Sequence, residues 1–481
     1  MQIISFVFLG FFAVVTAGYY LLPAGVRHIW LFAASMLFYF SQGPAHTVFL
    51  LFSILSTWIG GLLLEKAEDS AKKKAILAGI LICNLLVLLY FKYIGFLSAG
   101  LLTSPILPVG ISFYLFQSAG CLIDVYRGTI PAERDPIRYA LFVSFFPIVL
   151  SGPIERGGHL LPQLQRPYFE KIRFDAERIR DGAVRMLWGY FCKMVLADRI
   201  AIAVDTVYAT TDAYGGAVLF LTTVLYTFQI YLDFAGYSSI AIGAAKALGI
   251  DVMENFDTPY LARSIREFWR RWHISLSTWF RDYLYIPLGG NRRGQTRKLL
   301  NLLIVFVLSG LWHGAGWTFL IWGLLHGIYQ VAGNLLAPVR GRIAERAFVE
   351  KSGESFSLRV LQTAWTFLLV NFAWVFFRLG TVGEALGVFR GFARPALWEL
   401  FDGTLLTTGL NTAEWRLVAL GILLVFAVDL LRLKGVQIAE WISKQLLFIR
   451  WPVYIAGVVL VLVCGVWGPG YDTASFIYYR F

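Results

Sequence analysis

The sequence is poor in charge for its length. Only 15% of its 481 residues are charged, whereas 58% are hydrophobic and the mean hydropathy is +0.65. Soluble domains carry about 25% charged residues, so this composition excludes a soluble globular protein. Apolar runs long enough to cross about 30 Å of hydrocarbon recur along nearly the whole chain. The sequence therefore predicts an integral membrane protein.

Cysteine is scarce as well. None of the four cysteines belongs to a Cys-x-x-Cys pair, and all lie in or beside apolar segments: Cys83, Cys121, Cys192 and Cys464. Neither a disulfide framework nor a metal site is predicted from them. The first apolar run also lacks a positively charged start and a small-residue cleavage site, so we expect a retained helix rather than a signal peptide.

The apolar runs predict one all-helical membrane domain over 1–481. By a span length of about 20 residues, the chain contains about eleven apolar segments. Some runs, such as 139–151, are too short to span and are expected to be re-entrant. The clearer segments are 3–22, 29–41, 47–64, 75–97, 106–124, 184–205, 217–248, 299–335 (at least a hairpin), 360–378, 413–431 and 451–468.

The net charge of +12 is unevenly distributed. Lys and Arg cluster in "EKAEDSAKKK" and in four later loops, whereas "SQGPAH" and "SAGLLTSP" contain neither. Basic loops lie in the cytoplasm by the positive-inside rule. This predicts extracytoplasmic positions for both termini. Membrane topology therefore explains the positive net charge, and we do not expect nucleic-acid binding.

Two apolar stretches carry polar side chains at helical spacing. Such residues are expected to face the protein interior or a wet cavity rather than lipid. An interhelical hydrogen-bond network is the alternative to a catalytic role. The two sets are Gln117, Cys121 and Asp124 in the first stretch, and Gln229, Asp233 and Tyr237 in the second.

The densest chemical signal is "EFWRRWHISLSTWFRDYLYIPLGGNRRG". Arginine offers forked donors to phosphates, and the aromatic residues around His273 can line a slot for an acyl thioester. A donor with phosphates at one end and a thioester at the other fits this lining. The candidate phosphate ligands are Arg270, Arg271 and Arg281, although positive-inside topology alone also supplies arginines.

A second histidine, His313, lies inside the apolar run "LSGLWHGAGWTFL". An ionisable ring in an apolar setting is expensive unless it has partners or a task. Imidazole takes a hydroxyl proton well near neutral pH, and dry surroundings keep it neutral and basic. Gly314 and Gly316 are predicted to break the helix just after it.

Several long motifs occur in fixed order: "PVGISFYLFQ", "DVYRG", "FPIVLSGPIER", "QIYLDFAGYSSIAIG", the arginine-rich segment above and "LSGLWHGAGWTFLIWGLLHG". Together they resemble the membrane-bound O-acyltransferase (MBOAT) family. The similarity is greatest to its bacterial branch, which contains alginate O-acetylation and teichoic acid D-alanine transfer proteins. The resemblance is tightest over 105–330, which is the expected catalytic core.

The resemblance implies roles for particular residues. The family's near-invariant histidine corresponds to His313, and the upstream His or Asn of a W-x-x-W-H/N motif corresponds to His273. The family fold is a helical bundle around a central tunnel, which Asp233, Tyr237 and Gln229 are then expected to line. His326, beyond His313, is expected to have a packing or hydrogen-bonding role.

The resemblance also implies an activity. The expected function is transfer of an acyl group, by preference acetyl from cytoplasmic acetyl-CoA, across the bacterial inner membrane for O-acetylation of a secreted or cell-surface polysaccharide. An extracytoplasmic acetyltransferase is the expected partner. The tail 472–481, "DTASFIYYRF", resembles a C-terminal motif of the D-alanine branch whose tyrosine accepts the acyl group, and this points to Tyr478, with Tyr479 as the alternative. Interfacial anchoring by aromatic residues is the simpler explanation of the tail.

Two other classes compete with an enzyme. Asp233, Asp124 and the two histidines could form the proton relay of a transporter, although no inverted repeat is evident. A non-catalytic scaffold for a separate transferase is the third possibility, and in that case His313 would be dispensable.

Overall fold

The computed structural model describes residues 1–98, 101–103, 105–169, 174–338 and 355–467. The tail 472–481, and Tyr478 with it, lies outside the described residues. Within those ranges the chain forms helices and no strand. Its first half contains α1 (Phe6–Leu21), α2 (Arg27–Phe40), α3 (Pro44–Lys66), α4 (Ser70–Leu97), α5 (Ile111–Tyr126), α6 (Pro136–Ser144), α7 (Gly157–Phe169), α8 (Ala176–Tyr190) and α9 (Asp198–Ala209).

The second half contains α10 (Gly216–Ala247), α11 (Ile265–Arg271), α12 (Ile274–Phe280), α13 (Gln295–His313), α14 (Trp317–Leu335), α15 (Phe356–Arg378), α16 (Val382–Gly391), α17 (Thr412–Leu433), α18 (Ile438–Ser443) and α19 (Leu447–Cys464). Two π-helical segments, Phe191–Ala197 and Arg281–Tyr285, continue α8 and α12. Short 3₁₀ turns lie at Ala24–Val26, Thr211–Ala213, Pro259–Leu261, Leu397–Leu400 and Thr404–Thr408.

Five helices of the described chain are long and apolar enough to cross a membrane: α3, α4, α10, α15 and α19. α1 and the helical stretch through α2 are shorter apolar helices. The all-helical membrane fold expected from composition is confirmed. The short run at 139–151 forms α6, a nine-residue helix whose residues from Tyr139 onward are buried.

The long helix α10 lies at the centre of the bundle, with 78% of its most apolar window buried. It packs against α8 through two glycine pairs, Gly182 with Gly243 and Gly189 with Gly236. A Cβ on either Gly182 or Gly189 would lie 2.5 Å from the carbonyl oxygen of its partner. Small residues allow this close approach of helix backbones, which is a common way for membrane helices to associate.

Three charged side chains are buried where α10 meets the π segment. The ammonium of Lys193 lies 2.6 Å from a carboxylate oxygen of Asp198 and 2.7 Å from one of Asp233, and each side chain is at most 4% exposed. Buried charges are tolerated when they are paired. This cluster joins α10 to the segment that follows α8.

Helices α13 and α14 form the hairpin expected over 299–335. They approach closely at Gly310 and Gly323, where a Cβ on either glycine would overlap a carbonyl oxygen of the opposite helix. Within the hairpin, α13 ends at His313 and α14 begins at Trp317. This break places the histidine at a helix end, inside the bundle.

Candidate active site

His313 is the last residue of α13 and is 3% exposed. The helix stops there because the next residue, Gly314, takes up an extended conformation. A Cβ on Gly314 would overlap the ring of Phe319, so only glycine fits this close approach. The helix break predicted from the glycines is confirmed. The imidazole is surrounded edge-on by the rings of Trp312, Trp322 and Phe377, at centroid distances of 4.8, 5.0 and 5.1 Å.

His273 precedes α12 and is 1% exposed. Its backbone is left-handed, with φ 43° and ψ 54°. A non-glycine residue in this conformation costs about 1–2 kcal/mol, and such strain concentrates at functional sites. The ring contacts Phe234 at 4.7 Å and Phe113 at 6.3 Å. His273 is therefore held, at some cost, within an aromatic wall.

Trp312 links the two histidines. Its ring lies 5.9 Å from that of His273 and 4.8 Å from that of His313, measured between centroids. The sequence separation of 40 residues gave no reason, apart from the family resemblance, to expect the two rings in one place. The structure brings both rings into contact with one indole.

A buried polar network holds the backbone around His273. Asn255 accepts a hydrogen bond from the amide of Ile274 (2.9 Å) at its carbonyl oxygen and one from the hydroxyl of Ser275 (2.6 Å) at its side chain. Its own amide group donates to Ser238 on α10 at 3.1 Å. Sequence reasoning missed Asn255. The only signal was a polar residue in "ENFDTPY", directly before the arginine-rich segment.

Glu155 holds the backbone at Met253, two residues before Asn255. This fully buried carboxylate accepts hydrogen bonds from the backbone amide of Met253 and from Nδ1 of His159 (2.8 Å). His159 lies on α7, which is not one of the spanning helices. The hydrogen bond to Glu155 raises the pKa of His159 above 6.5, against the opposing effect of partial burial.

A cavity of about 360 Å³ lies between α11, α12 and the α13–α14 hairpin, and we call it the arginine cavity. One part of its wall is basic and the rest is mainly apolar. Ser309, one helical turn before His313, and Leu276, three residues after His273, both line it. The cavity thus reaches from charged side chains to the neighbourhood of both histidines. Its basic residues are Arg266, Arg270, Arg281 and Lys298.

The three predicted phosphate ligands are divided by the structure. Arg270 and Arg281 line the arginine cavity. Arg271 is not part of that lining; its guanidinium binds Glu267 at 2.8 Å and the hydroxyl of Thr258 at 2.6 Å. Sequence reasoning missed Arg266 and Lys298, which both donate to the side-chain oxygen of Asn334.

A second, smaller cavity of about 40 Å³ lies beside His313, and we call it the lysine cavity. Its walls come from the ends of α4 and α13 and from the start of α5. Its lining, among the described residues, includes Lys92, Gly110, Ser112, Trp312 and His313 and contains no carboxylate. His313 therefore lines one cavity and lies one helical turn from the other.

The polar residues predicted to line a tunnel are all buried on α10. Asp233 pairs with Lys193, as described above, and Gln229 and Tyr237 are 7% and 3% exposed. None of the three lines the arginine cavity or the lysine cavity. Their place along a tunnel stays a prediction.

The polar residues of α5 serve contacts between helices. Gln117 donates to the backbone carbonyl of Phe142 on α6. Asp124 accepts a hydrogen bond from the hydroxyl of Tyr283 at 2.7 Å. These contacts favour the hydrogen-bond network over a proton relay for this set.

Comparison with known proteins agrees with the motifs. The model of the membrane-bound O-acyltransferase family matches residues 130–344. The chain is 39% identical over 435 residues to the probable alginate O-acetylase AlgI of Pseudomonas syringae pv. tomato, covering 85% of this chain and 78% of that protein. It is 33% identical over 414 residues to the peptidoglycan O-acetyltransferase of Helicobacter pylori, covering 78% and 76%. The teichoic acid D-alanyltransferase of Bacillus subtilis is 28% identical over 286 residues, covering 56% and 70%.

The chain belongs to the membrane-bound O-acyltransferase family. It is a membrane protein and an O-acyltransferase, as its motifs predicted.

Proposed function

We propose that this enzyme transfers an acyl group, by preference acetyl, from acetyl-CoA at the cytoplasmic face of the bacterial inner membrane to an acceptor on the other face. The product serves O-acetylation of a secreted or cell-surface polysaccharide. The observation that carries the proposal is the arginine cavity, whose wall extends from four basic side chains to Ser309, one turn from His313. The names of the alginate and peptidoglycan relatives support a polysaccharide as the final acceptor.

The donor fits the arginine cavity by charge and shape. Arg270 and Arg281 would bind the phosphates of CoA with charge-assisted hydrogen bonds. The apolar wall formed by Leu302, Val305 and Phe306 suits the uncharged arm that carries the thioester. The acyl group would then lie near Ser309. The basic loops face the cytoplasm by the positive-inside rule, so the basic end of the arginine cavity would open to the cytoplasm.

The two histidines divide the chemistry. His313 takes the proton of the acceptor hydroxyl as the oxygen attacks the thioester carbonyl. The carbon–sulfur bond then breaks, and the sulfur of CoA receives that proton from His313. The aromatic rings around His313 disfavour its imidazolium form before transfer and keep the imidazole available as a base. His273, whose ring contacts Trp312, positions the thioester and polarises its carbonyl.

The acceptor would approach from the lysine cavity. The positive-inside rule predicts that the tail 472–481 is extracytoplasmic, and we propose Tyr478 as the residue that takes the acyl group, with Tyr479 as the alternative. A phenol is more acidic than a sugar hydroxyl, so imidazole can activate it. The resulting aryl ester is reactive enough to pass the group to an extracytoplasmic acetyltransferase partner.

Purified protein incubated in detergent with radiolabelled acetyl-CoA tests the activity. We expect release of CoA and label on the protein, both absent in His313→Ala. Ion flux in liposomes without CoA release would identify a transporter instead. Unchanged polymer acetylation by His313→Ala would identify a scaffold.

Mass spectrometry of the C-terminal peptide tests the carrier. We expect an acetyl group on Tyr478 in the native chain and none at that position in Tyr478→Phe. If neither tyrosine is acetylated and Tyr478→Phe supports full polymer acetylation, the tail is an anchor in the membrane interface.

A further inference from the structure

The end of α4 binds the end of the helix that carries His313. Lys92 donates from Nζ to the carbonyl oxygen of Trp312, and Tyr93 donates from its hydroxyl to the carbonyl oxygen of Leu311. These contacts join residues 220 and 218 positions apart in the chain. One turn further along α4, the ring of Phe96 contacts Trp317, the first residue of α14, at 5.8 Å. We call these three α4 residues the α4 clamp.

The clamp satisfies groups that a helix cannot satisfy by itself. The last carbonyls of an α-helix have no partner within the helix, and here the chain turns away at Gly314. A cationic donor at this end also complements the negative end of the helix dipole. The two carbonyls immediately before His313 are therefore bound by side chains from a distant segment.

Lys92 also touches the indole that links the histidines. Its ammonium lies 5.7 Å from the centre of the Trp312 ring, within the range of a cation–π contact. It lines the lysine cavity together with His313. A single side chain thus contacts both the backbone and the ring of the residue next to His313.

The position of Lys92 is costly for a membrane helix. α4 is among the most exposed spanning helices, with only 17% of its most apolar window buried. A lysine at the centre of such a helix costs about 2.5–3.5 kcal/mol on insertion scales, and less near its ends. Lipid contact alone would favour an apolar residue at this position. Such residues mark function more often than packing.

We propose that Lys92 and Tyr93 are positioning residues for His313 in the acyl transfer, an inference that rests on the proposed function. They hold the last turn of α13 so that the imidazole keeps a fixed direction beside the lysine cavity. Lys92 additionally holds the ring of Trp312, which contacts both histidines.

The test compares Lys92→Met, Lys92→Arg and Tyr93→Phe in the full chain, with Lys72→Met as the control. Lys72 is an exposed lysine at the opposite end of the same helix. CoA release from acetyl-CoA is measured over a range of donor concentrations. Because a displacement of about 1 Å near the reacting atoms costs on the order of a hundredfold, we expect Lys92→Met to lower kcat at least about tenfold. The KM for acetyl-CoA should stay within about twofold, since the donor lies in the other cavity.

The remaining variants separate positioning from packing. Lys92→Arg keeps a cationic donor and should recover most of kcat, while Tyr93→Phe, which loses one hydroxyl, should show a smaller decrease than Lys92→Met. Lys72→Met should match the native enzyme. A native kcat in Lys92→Met, or a Lys92→Arg enzyme no better than Lys92→Met, would overturn the proposal.

Hydrogen–deuterium exchange of the peptide 308–320 reports on the clamp without any assay of activity. We expect faster exchange there in Lys92→Met and Tyr93→Phe than in Lys72→Met. If Lys92→Met and Tyr93→Phe exchange no faster than Lys72→Met, the clamp is contradicted, even when the native enzyme is active. If the two variants exchange faster than Lys72→Met while the native chain itself releases no CoA, the clamp is supported and the failure lies in the proposed function.

Discussion

The indole N–H of Trp269 donates to Nδ1 of His326 across 3.2 Å, and His326 is fully buried. This contact ties α14 to α11 and confirms the hydrogen-bonding role expected for His326. His313, on the other helix of the same hairpin, instead ends its helix beside the lysine cavity. The hairpin thus carries two buried histidines in different settings, and each can serve as the control for the other.

His313→Gln should lose CoA release almost completely. A general base contributes about 10²–10⁴-fold to a rate, and glutamine fills a similar space without taking a proton. His326→Gln should keep most of the activity, because an amide oxygen can accept the hydrogen bond from Trp269. Initial rates of purified proteins with matched elution profiles provide the measurement. An active His313→Gln protein would remove the histidine from the mechanism.

His273→Asn should be milder than His273→Ala. Asparagine tolerates the left-handed backbone observed here better than alanine does. We expect His273→Ala to lower kcat and to unfold at a lower temperature than His273→Asn, because both variants lose the ring contacts with Phe234 and Phe113 but asparagine tolerates the left-handed backbone better. Comparison of thermal melts and rates for the two variants gives the test. Equal thermal stability of the two variants would show that the left-handed backbone does not distinguish asparagine from alanine at this position.

Charge reversal should separate Arg270 and Arg281 from Arg271. A lost hydrogen bond to a charged group costs about 1.5–3 kcal/mol, so we expect Arg270→Glu and Arg281→Glu each to raise the KM for acetyl-CoA about tenfold or more. Arg271→Gln should leave this KM near the native value, because its guanidinium binds Glu267 and Thr258 outside the cavity. Its effect should be on stability instead. An unchanged KM in the first two variants would leave membrane topology as the explanation for these arginines.

Asp233→Leu should destabilise the protein rather than slow its chemistry. Removing one partner of a buried ion pair costs about 3–5 kcal/mol, and less is expected here because Lys193 keeps Asp198. Thermal melts in detergent should show the loss, while the folded fraction keeps its kcat. Gln229→Leu, one turn away on the same helix, removes no charge and is the control. A stable but slow Asp233→Leu enzyme would favour the tunnel role instead.

The pair of His159 and Glu155 should make stability depend on pH. The pKa of His159 is raised in the folded state, so its contribution is complete below about pH 6.5. It is lost as the pH rises through the raised value. The imidazole is half exposed, which limits the effect to below about 1 kcal/mol. Thermal melts from pH 6 to pH 9 should decline in the native chain more than in His159→Gln, and parallel curves would contradict this.

Local patterns in the sequence predicted much of this fold. Apolar runs located the helices, and glycines located the break after His313, because these features depend on neighbouring residues. The left-handed backbone of His273 depends instead on Asn255 and Ser275, which hold the chain in place through hydrogen bonds. No property of His273 itself indicates that conformation.

Contacts between distant segments were beyond sequence reasoning. In the sequence, Lys92 is an ordinary basic residue near the end of an apolar run. Its contact with Trp312 forms because the C-terminal ends of α4 and α13 lie side by side. Arg271 shows the converse, since adjacency to Arg270 suggested a shared role. On a helix, neighbours in sequence point about 100° apart, so the two guanidinium groups diverge.

The pairing of Lys193 with Asp233 constrains how the chain enters the bilayer during synthesis. The segment with Lys193 and Asp198 is made before α10, which begins at Gly216. Each charge at the centre of an isolated helix costs about 2.5–3.5 kcal/mol to insert, and α10 brings a charge of its own. Within the earlier segment Lys193 already pairs with Asp198, whereas Asp233 has its ammonium partner on that other segment. The earlier segment is therefore expected to stay beside the insertion machinery until α10 arrives, so that Asp233 meets Lys193 as α10 enters the lipid.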